Sequence, residues 1–154
     1  LNRALPDLAC RYLGSSRMAF YCGRRHPLFG QEALTLDDLD AHNYISFESD
    51  HLEAGLDAVA RVGIGNRFRD NRIASSANDE EVLRLIEAGI GFGPLNVSMG
   101  ALYAREGRLW QLPPYEDLPT VRNYLITNPA RSMTREDVTF SDVVEAIRDA
   151  EGSR

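Results

Sequence analysis

Two four-residue junctions constrain this chain more than any other feature. Ser46-Phe47-Glu48-Ser49 follows the run Asn43-Tyr44-Ile45, and Ser75-Ser76-Ala77-Asn78 follows a run that begins near Asn71. Each links residues suited to a short strand to a segment whose apolar side chains recur at helical spacing. After the first junction these are Leu52, Leu56 and Val59, and after the second Val82, Leu83, Ile86 and Ile90. Strand and helix alternating at such short intervals predict a layered α/β protein rather than a bundle or a sandwich.

The remaining elements are placed by their stop and start signals. Residues 17–22, Arg-Met-Ala-Phe-Tyr-Cys, read as a strand that stops at Gly23, and His26-Pro27 argues against helix in the charged turn that follows. Thr35 and Asp38 fit the cap and acidic third position of a short helix, as do Asp50 with Glu53 and Asn78 with Glu81 for longer ones. Gly89, Gly91 and Gly93 end the helix opened by Asn78, a further helix is expected over 96–106, and 109–112 reads as a short crossing strand broken by Pro113-Pro114. A strand over 120–127 precedes a last helix started by Thr134 and Asp137, with Phe140, Val143, Val144 and Ile147 on its buried side.

Composition narrows the function. With 17 Lys plus Arg against 23 Asp plus Glu, the formal charge of -6 opposes non-specific attraction to nucleic-acid phosphates. The densest basic stretch, with Arg67, Arg69 and Arg72, is interrupted by Asp70 and reads as a solvated turn. Cys10 and Cys22 make neither a disulfide scaffold nor a metal-ligand spacing, so reduced thiols in a cytoplasmic protein are expected. No apolar stretch approaches the roughly 20 residues that span a bilayer, and no membrane partner is expected.

Catalytic constellations are weak. His26, His42 and His51 lack zinc-site spacing, and Cys22 four residues before His26 reads more readily as the buried end of a strand than as a nucleophile. The glycines of Gly89-Ile90-Gly91-Phe92-Gly93 follow a helix instead of opening one, so the dinucleotide-binding context fails. No metal, cofactor or catalytic residue is assigned. The two junctions are more informative, because in an α/β sheet such ends gather at one edge, where hydroxyls, amides and unpaired helix N–H groups receive a small polar molecule. The plainer reading stays open beside it: the serines and Asn78 cap their own helices and Phe47 fills the core.

The order of these signals resembles the effector-binding domain of LysR-type transcriptional regulators. The matching pieces are Phe20-Tyr21-Cys22-Gly23 with Arg24-Arg25-His26-Pro27-Leu28, then Leu36-Asp37-Asp38-Leu39 and Tyr44-Ile45. A second set runs from Ser76-Ala77-Asn78 through Val82, then Leu85-Ile86-Glu87-Ala88-Gly89-Ile90-Gly91-Phe92-Gly93-Pro94-Leu95, to Gly107-Arg108-Leu109.

The resemblance implies a type 2 periplasmic-binding-protein-like α/β fold, in which two lobes joined by crossing strands hold a small-molecule effector. This chain is expected to supply one full lobe plus part of the second. Residues 24–107 would form lobe II, and 1–23 with 108–154 the crossing strands and the C-terminal part of lobe I; the N-terminal winged helix-turn-helix and most of lobe I have no counterpart. The resemblance also assigns effector contacts to Ser46, Phe47, Ser49, Ser75, Ser76, Asn78, Gly93 and Pro94. The expected partners are a small organic metabolite, further copies of the chain, and DNA only through the absent N-terminal domain. Competing functions are a solute-binding protein of a transport system, a structural or oligomerisation fragment without its own ligand, and an enzyme using Cys22 with His26 or a carboxylate pair.

Overall fold

Five consecutive residues, Ala19 to Gly23, are buried side by side at the end of a 15-residue strand, β1 (Ala9–Gly23). Burial of successive residues means that both faces of the strand are covered, the pattern of a central strand. The computed structural model describes residues 8–47 and 67–152. Within them β1 is followed by β2 (Tyr44–Phe47), β3 (Arg72–Ser76), α1 (Asp79–Glu87), β4 (Gly93–Asn96), α2 (Val97–Arg105), β5 (Leu109–Leu112), β6 (Thr120–Thr127) and α3 (Arg135–Gly152).

The strand β1 pairs antiparallel with β4 on one side, Phe20 opposite Pro94, and with β5 on the other, Phe20 opposite Leu112. Its other neighbour is β6. Strands β2 and β3 pair in parallel, with Ser46 opposite Ser75 and Phe47 opposite Ser76 after a register shift between Tyr44 and Ile45. A parallel bridge between Tyr44 and Phe92 ties this pair to the start of β4: Ile45 N–H donates to Phe92 O at 2.8 Å and Phe92 N–H to Asn43 O at 3.0 Å.

Alternation along the strands divides the core in two. Ala19, Tyr21, Ile45, Val82, Leu83, Ile86, Leu95 and Leu109 pack on the face carrying α1, with Val97, Met99 and Tyr103 of α2 against them. Phe20, Cys22, Leu28, Leu39, Tyr44, Phe68, Phe92 and Leu112 form the other cluster. Its aromatic rings meet edge to face, Phe68 and Phe92 at 5.0 Å and 90°, Phe20 and Phe92 at 5.6 Å and 84°. Such pairs add about 0.5–1.5 kcal/mol each to the apolar area they bury.

The chain divides into two compact units. One contains residues 16–121 and the other the described residues up to Ser15 together with those from Arg122 onward. All the buried residues named above lie in the first, and no described residue of the second is fully buried.

Several expectations are met and others corrected. Asn78 caps α1 through its side chain, Asn96 caps α2, and Thr134 and Asp137 exchange hydrogen bonds at the start of α3. The first strand begins eight residues earlier than read, at Ala9 instead of 17, because pairing with β6 extends a segment whose own Gly-Ser-Ser composition is a poor strand former. Thr35 does not cap a helix: the short element is a 3-10 turn, Asp37–Leu39, whose N-cap is Leu36, and the Asp38 carboxylate accepts from the Thr35 N–H and hydroxyl, both at 2.7 Å. Ile90 is exposed, since α1 ends at Glu87 and Gly89 turns the chain with φ +77° before the next helical position is reached. Phe140, Val143 and Ile147 of α3, expected on a buried side, are 60%, 51% and 56% exposed, because no described element covers that stripe. The helix expected after Asp50 and Glu53 lies outside the described residues.

Gly23 sits where β1 passes beneath α1, and a methyl group there would stand 2.3 Å from the Ile86 carbonyl oxygen. Since the obstacle is backbone, Gly23→Ala is expected to destabilise the protein by about 2–3 kcal/mol in urea unfolding. Gly14→Ala, which meets nothing within 4 Å, should be neutral or stabilise by about 0.5 kcal/mol. Equal effects of the two would contradict the packing described.

Candidate functional site

Because β2 and β3 are parallel and adjacent, their C-terminal ends emerge at the same edge. The register that pairs Ser46 with Ser75 puts those side chains on one face, and pairs Phe47 with Ser76 on the other. The structure therefore brings Ser46, Phe47, Ser75 and Ser76 together at one edge, divided between two faces. Ser49 lies outside the described residues.

The hydrogen bonds give each side chain its local role. Ser76 Oγ donates to Glu81 Oε2 at 2.6 Å and accepts from the Asn78 N–H at 3.0 Å. Asn78 Oδ1 accepts from the N–H groups of Glu80 at 2.8 Å and Glu81 at 3.4 Å. These two residues are thus engaged in opening α1. Phe47 packs partly buried against the cluster under α1, and Ser75 is exposed. Gly93 is placed by packing, since a methyl group there would stand 2.7 Å from the Ile45 carbonyl oxygen, and Pro94 is buried opposite Phe20. Both lie on β4, whose start is bridged to β2.

Ser46 differs from all of these. It is 1% exposed, and its hydroxyl has no hydrogen-bond partner among the described residues. A buried hydroxyl left unmatched costs on the order of 1–3 kcal/mol, and such groups concentrate where a ligand or water completes them.

A third strand-to-helix junction, not singled out in the sequence, stands at the end of β4. Asn96 Oδ1 accepts from the Ser98 N–H at 2.9 Å and opens α2. The two helix starts differ in charge: the first turn of α1 carries Asp79, Glu80 and Glu81, whereas the first turn of α2 carries no acidic residue. Carboxylates already occupy the positive end of α1's dipole, whereas at the start of α2 the Asn96 side-chain oxygen is the group that meets it. The signal was present in the sequence as Asn96 two residues before Ser98, the same cap spacing as Asn78 before Glu80.

The basic stretch provides no competing anion site at Arg67, whose Nε donates to Asp40 Oδ1 at 2.7 Å and whose guanidinium also pairs with Asp37. That pairing holds the Asp40 carboxyl below the usual carboxylate range. Nor does the Cys22 and His26 pair form a nucleophilic couple. Burial pushes the Cys22 thiol up to about 12, which keeps it protonated at neutral pH. His26 is buried, its ring 4.9 Å from that of His42, with Nδ1 accepting from the Leu28 N–H at 3.2 Å. Burial first, and the positive form of His42 second, push His26 down to about 4.

Parallel and antiparallel strands with helices following their ends make a layered α/β domain of the periplasmic-binding-protein type 2 fold. The chain belongs to the LysR substrate binding domain family, which it matches over residues 1–150. It is an effector-binding domain of the LysR type.

Solved structures agree in fold. The regulatory domain of HypT from Salmonella typhimurium superposes with a TM-score of 0.69 at 16% identity, over 97% of this chain and 69% of that one. The regulatory domain of CcmR from Synechocystis PCC6803, in complex with 2-PG, gives 0.64 at 18% identity over 95% and 69%. The effector binding domain of QuiR, in complex with shikimate, gives 0.66 at 18% identity over 96% and 68%. These neighbours are regulatory domains, not enzymes. No curated protein matches the chain. Among the described residues no helix is long and apolar enough to cross a membrane.

The histidine supplies a pH prediction. Its folded value lies below the free value of 6.5, so the unfolded chain binds the proton first as pH falls, and stability drops between about pH 6.5 and 4. The contribution is on the order of 2 kcal/mol, fully present above pH 7. Urea unfolding across this range should show His26→Asn with a flatter profile than the unaltered chain; parallel profiles would contradict the assignment.

Proposed function

We propose that this domain senses a small organic effector at the edge where β2, β3 and β4 run out. The single observation that carries the reading is the Ser46 hydroxyl, buried and without a partner among the described residues, beside the exposed Ser75. An effector hydroxyl or carbonyl would complete Ser46, Ser75 would add a second polar contact, and a negative group would turn toward Asn96 and the start of α2. Phe47, Ser49, Ser76, Asn78, Gly93 and Pro94 complete the proposed surroundings, the first closing an apolar side and the glycine holding the strands close. The complexes of CcmR with 2-PG and of QuiR with shikimate support a small-molecule ligand.

Residues 24–107 are proposed as lobe II, with 1–23 and 108–154 as crossing strands and the C-terminal part of lobe I. In an intact LysR-type regulator, working in the cytoplasm, effector binding would couple through the lobes to the geometry of a homo-oligomer and so to DNA held by an N-terminal domain. Such coupling requires different effector affinities in at least two arrangements.

Ser46→Ala separates this reading from a purely structural one. Removing an unmatched buried hydroxyl should leave the ligand-free chain equally stable or more stable by about 1 kcal/mol. Affinity for small hydroxylated carboxylates, with shikimate as the first probe in a calorimetric titration series, should fall by about five- to tenfold. Saturable binding of any member of the series that is unaffected by both Ser46→Ala and Ser75→Ala would remove the proposed site.

A further inference from the structure

A second buried hydroxyl serves neither the packing nor the site described above. Tyr21 stands on β1 opposite Gly93, is 1% exposed, and its hydroxyl has no hydrogen-bond partner among the described residues. Gly100 fixes where that hydroxyl lies, since a methyl group on Gly100 would stand 2.7 Å from it. Gly100 is the fourth residue of α2, and a Cβ there tilts toward the helix start, so the phenol ends inside the first turn. Packing explains the ring, which belongs to the cluster under α1, but not the oxygen. Phenylalanine would fill the same space without burying an unmatched donor.

The groups around the hydroxyl select its partner. The first turn of α2 carries no acidic residue, and its N–H groups find no acceptor within the helix, Asn96 Oδ1 taking that of Ser98. Burial pushes the Tyr21 phenol above its ordinary value, so it keeps its proton at neutral pH. Donors therefore face donors. What satisfies them is an oxygen that only accepts, and a carboxylate supplies one with a charge suited to the positive end of a helix. Phe47, Val97 and Met99 are each partly exposed and pack on the same cluster as Tyr21, which links the hydroxyl to the edge where β2 and β4 end. Of these three, Met99 is unbranched and the most readily displaced.

We propose that Tyr21 determines effector specificity: its hydroxyl donates to a carboxylate of the effector at the first turn of α2, which Met99 admits by turning aside. This deepens, and rests on, the effector site proposed at the ends of β2, β3 and β4.

Tyr21→Phe in the full chain tests it at two levels. Without ligand, the variant should unfold at the same temperature as the unaltered chain or higher, because no hydrogen bond is lost. A lower unfolding temperature would show that the hydroxyl already has a partner, and would overturn the proposal. Calorimetric titration then compares lactate, shikimate and 4-hydroxybenzoate, each beside its primary amide. The unaltered chain should prefer the carboxylate. Tyr21→Phe should lower carboxylate affinity about ten- to thirtyfold and amide affinity only about threefold, because a hydrogen bond to a charged acceptor is the stronger. A purely structural role would lower both alike. Carboxylate binding weakened by Ser46→Ala but not by Tyr21→Phe would overturn the role of Tyr21 and leave the site standing. Binding indifferent to both substitutions, or no saturable binding by any of the probes, would overturn the two together.

Discussion

The parallel pairing of β2 with β3 is the constraint on which the rest depends. Parallel strands must end on the same side of a sheet, and the connections that follow them must begin there, so the junctions after Phe47 and Ser76 are neighbours by geometry. Bridging of β2 to the start of β4 adds the junction at Asn96. The approach of β2 to β4 in turn relies on glycines that let backbone approach backbone: at Gly91 and Gly93 a methyl group would strike the carbonyl oxygens of Asn43 and Ile45. The Gly-Ile-Gly-Phe-Gly run is therefore a device for close strand packing, with Phe92 between the glycines anchoring the aromatic cluster on the opposite face.

The site and the core draw on the same residues in different proportions. Ser76 and Asn78 have their hydrogen bonds met within the chain, and their contribution to stability needs no ligand. Ser46 has none among the described residues, where its strand neighbours Tyr44 and Ile45 are among the most completely buried side chains. A polar group placed inside a well-packed region without a partner is unfavourable for folding alone, and the proposed ligand role would offset that cost at Ser46. The contrast between the acidic start of α1 and the start of α2, which has no acidic residue, would give the proposed ligand an orientation.

Much of this was legible in the sequence because capping is local. Asn78 with Glu81, Asn96 ahead of Ser98, and Thr134 with Asp137 each specify a helix start within four residues, and the structure places a cap at all three. What was not legible depends on distant partners. The first half of β1 is a strand because β6 pairs with it, and Ile90 leaves the apolar face of α1 because the helix stops at Glu87 although the spacing continues. Periodicity in α3 stated which face seeks cover and was silent on whether anything covers it. The unmatched hydroxyl of Ser46 was likewise invisible, since a serine at a strand end reads the same whether or not its Oγ finds an acceptor.

The central claim is that the ends of β2, β3 and β4 form one ligand-receiving edge. Backbone amide resonances followed through a titration with a bound effector test it most directly. The account predicts that Ser46 and Phe47, Ser75 and Ser76, and Val97 and Ser98 shift together along a single saturation curve. Saturable shifts confined to other parts of the chain, with these six amides unmoved, would contradict it.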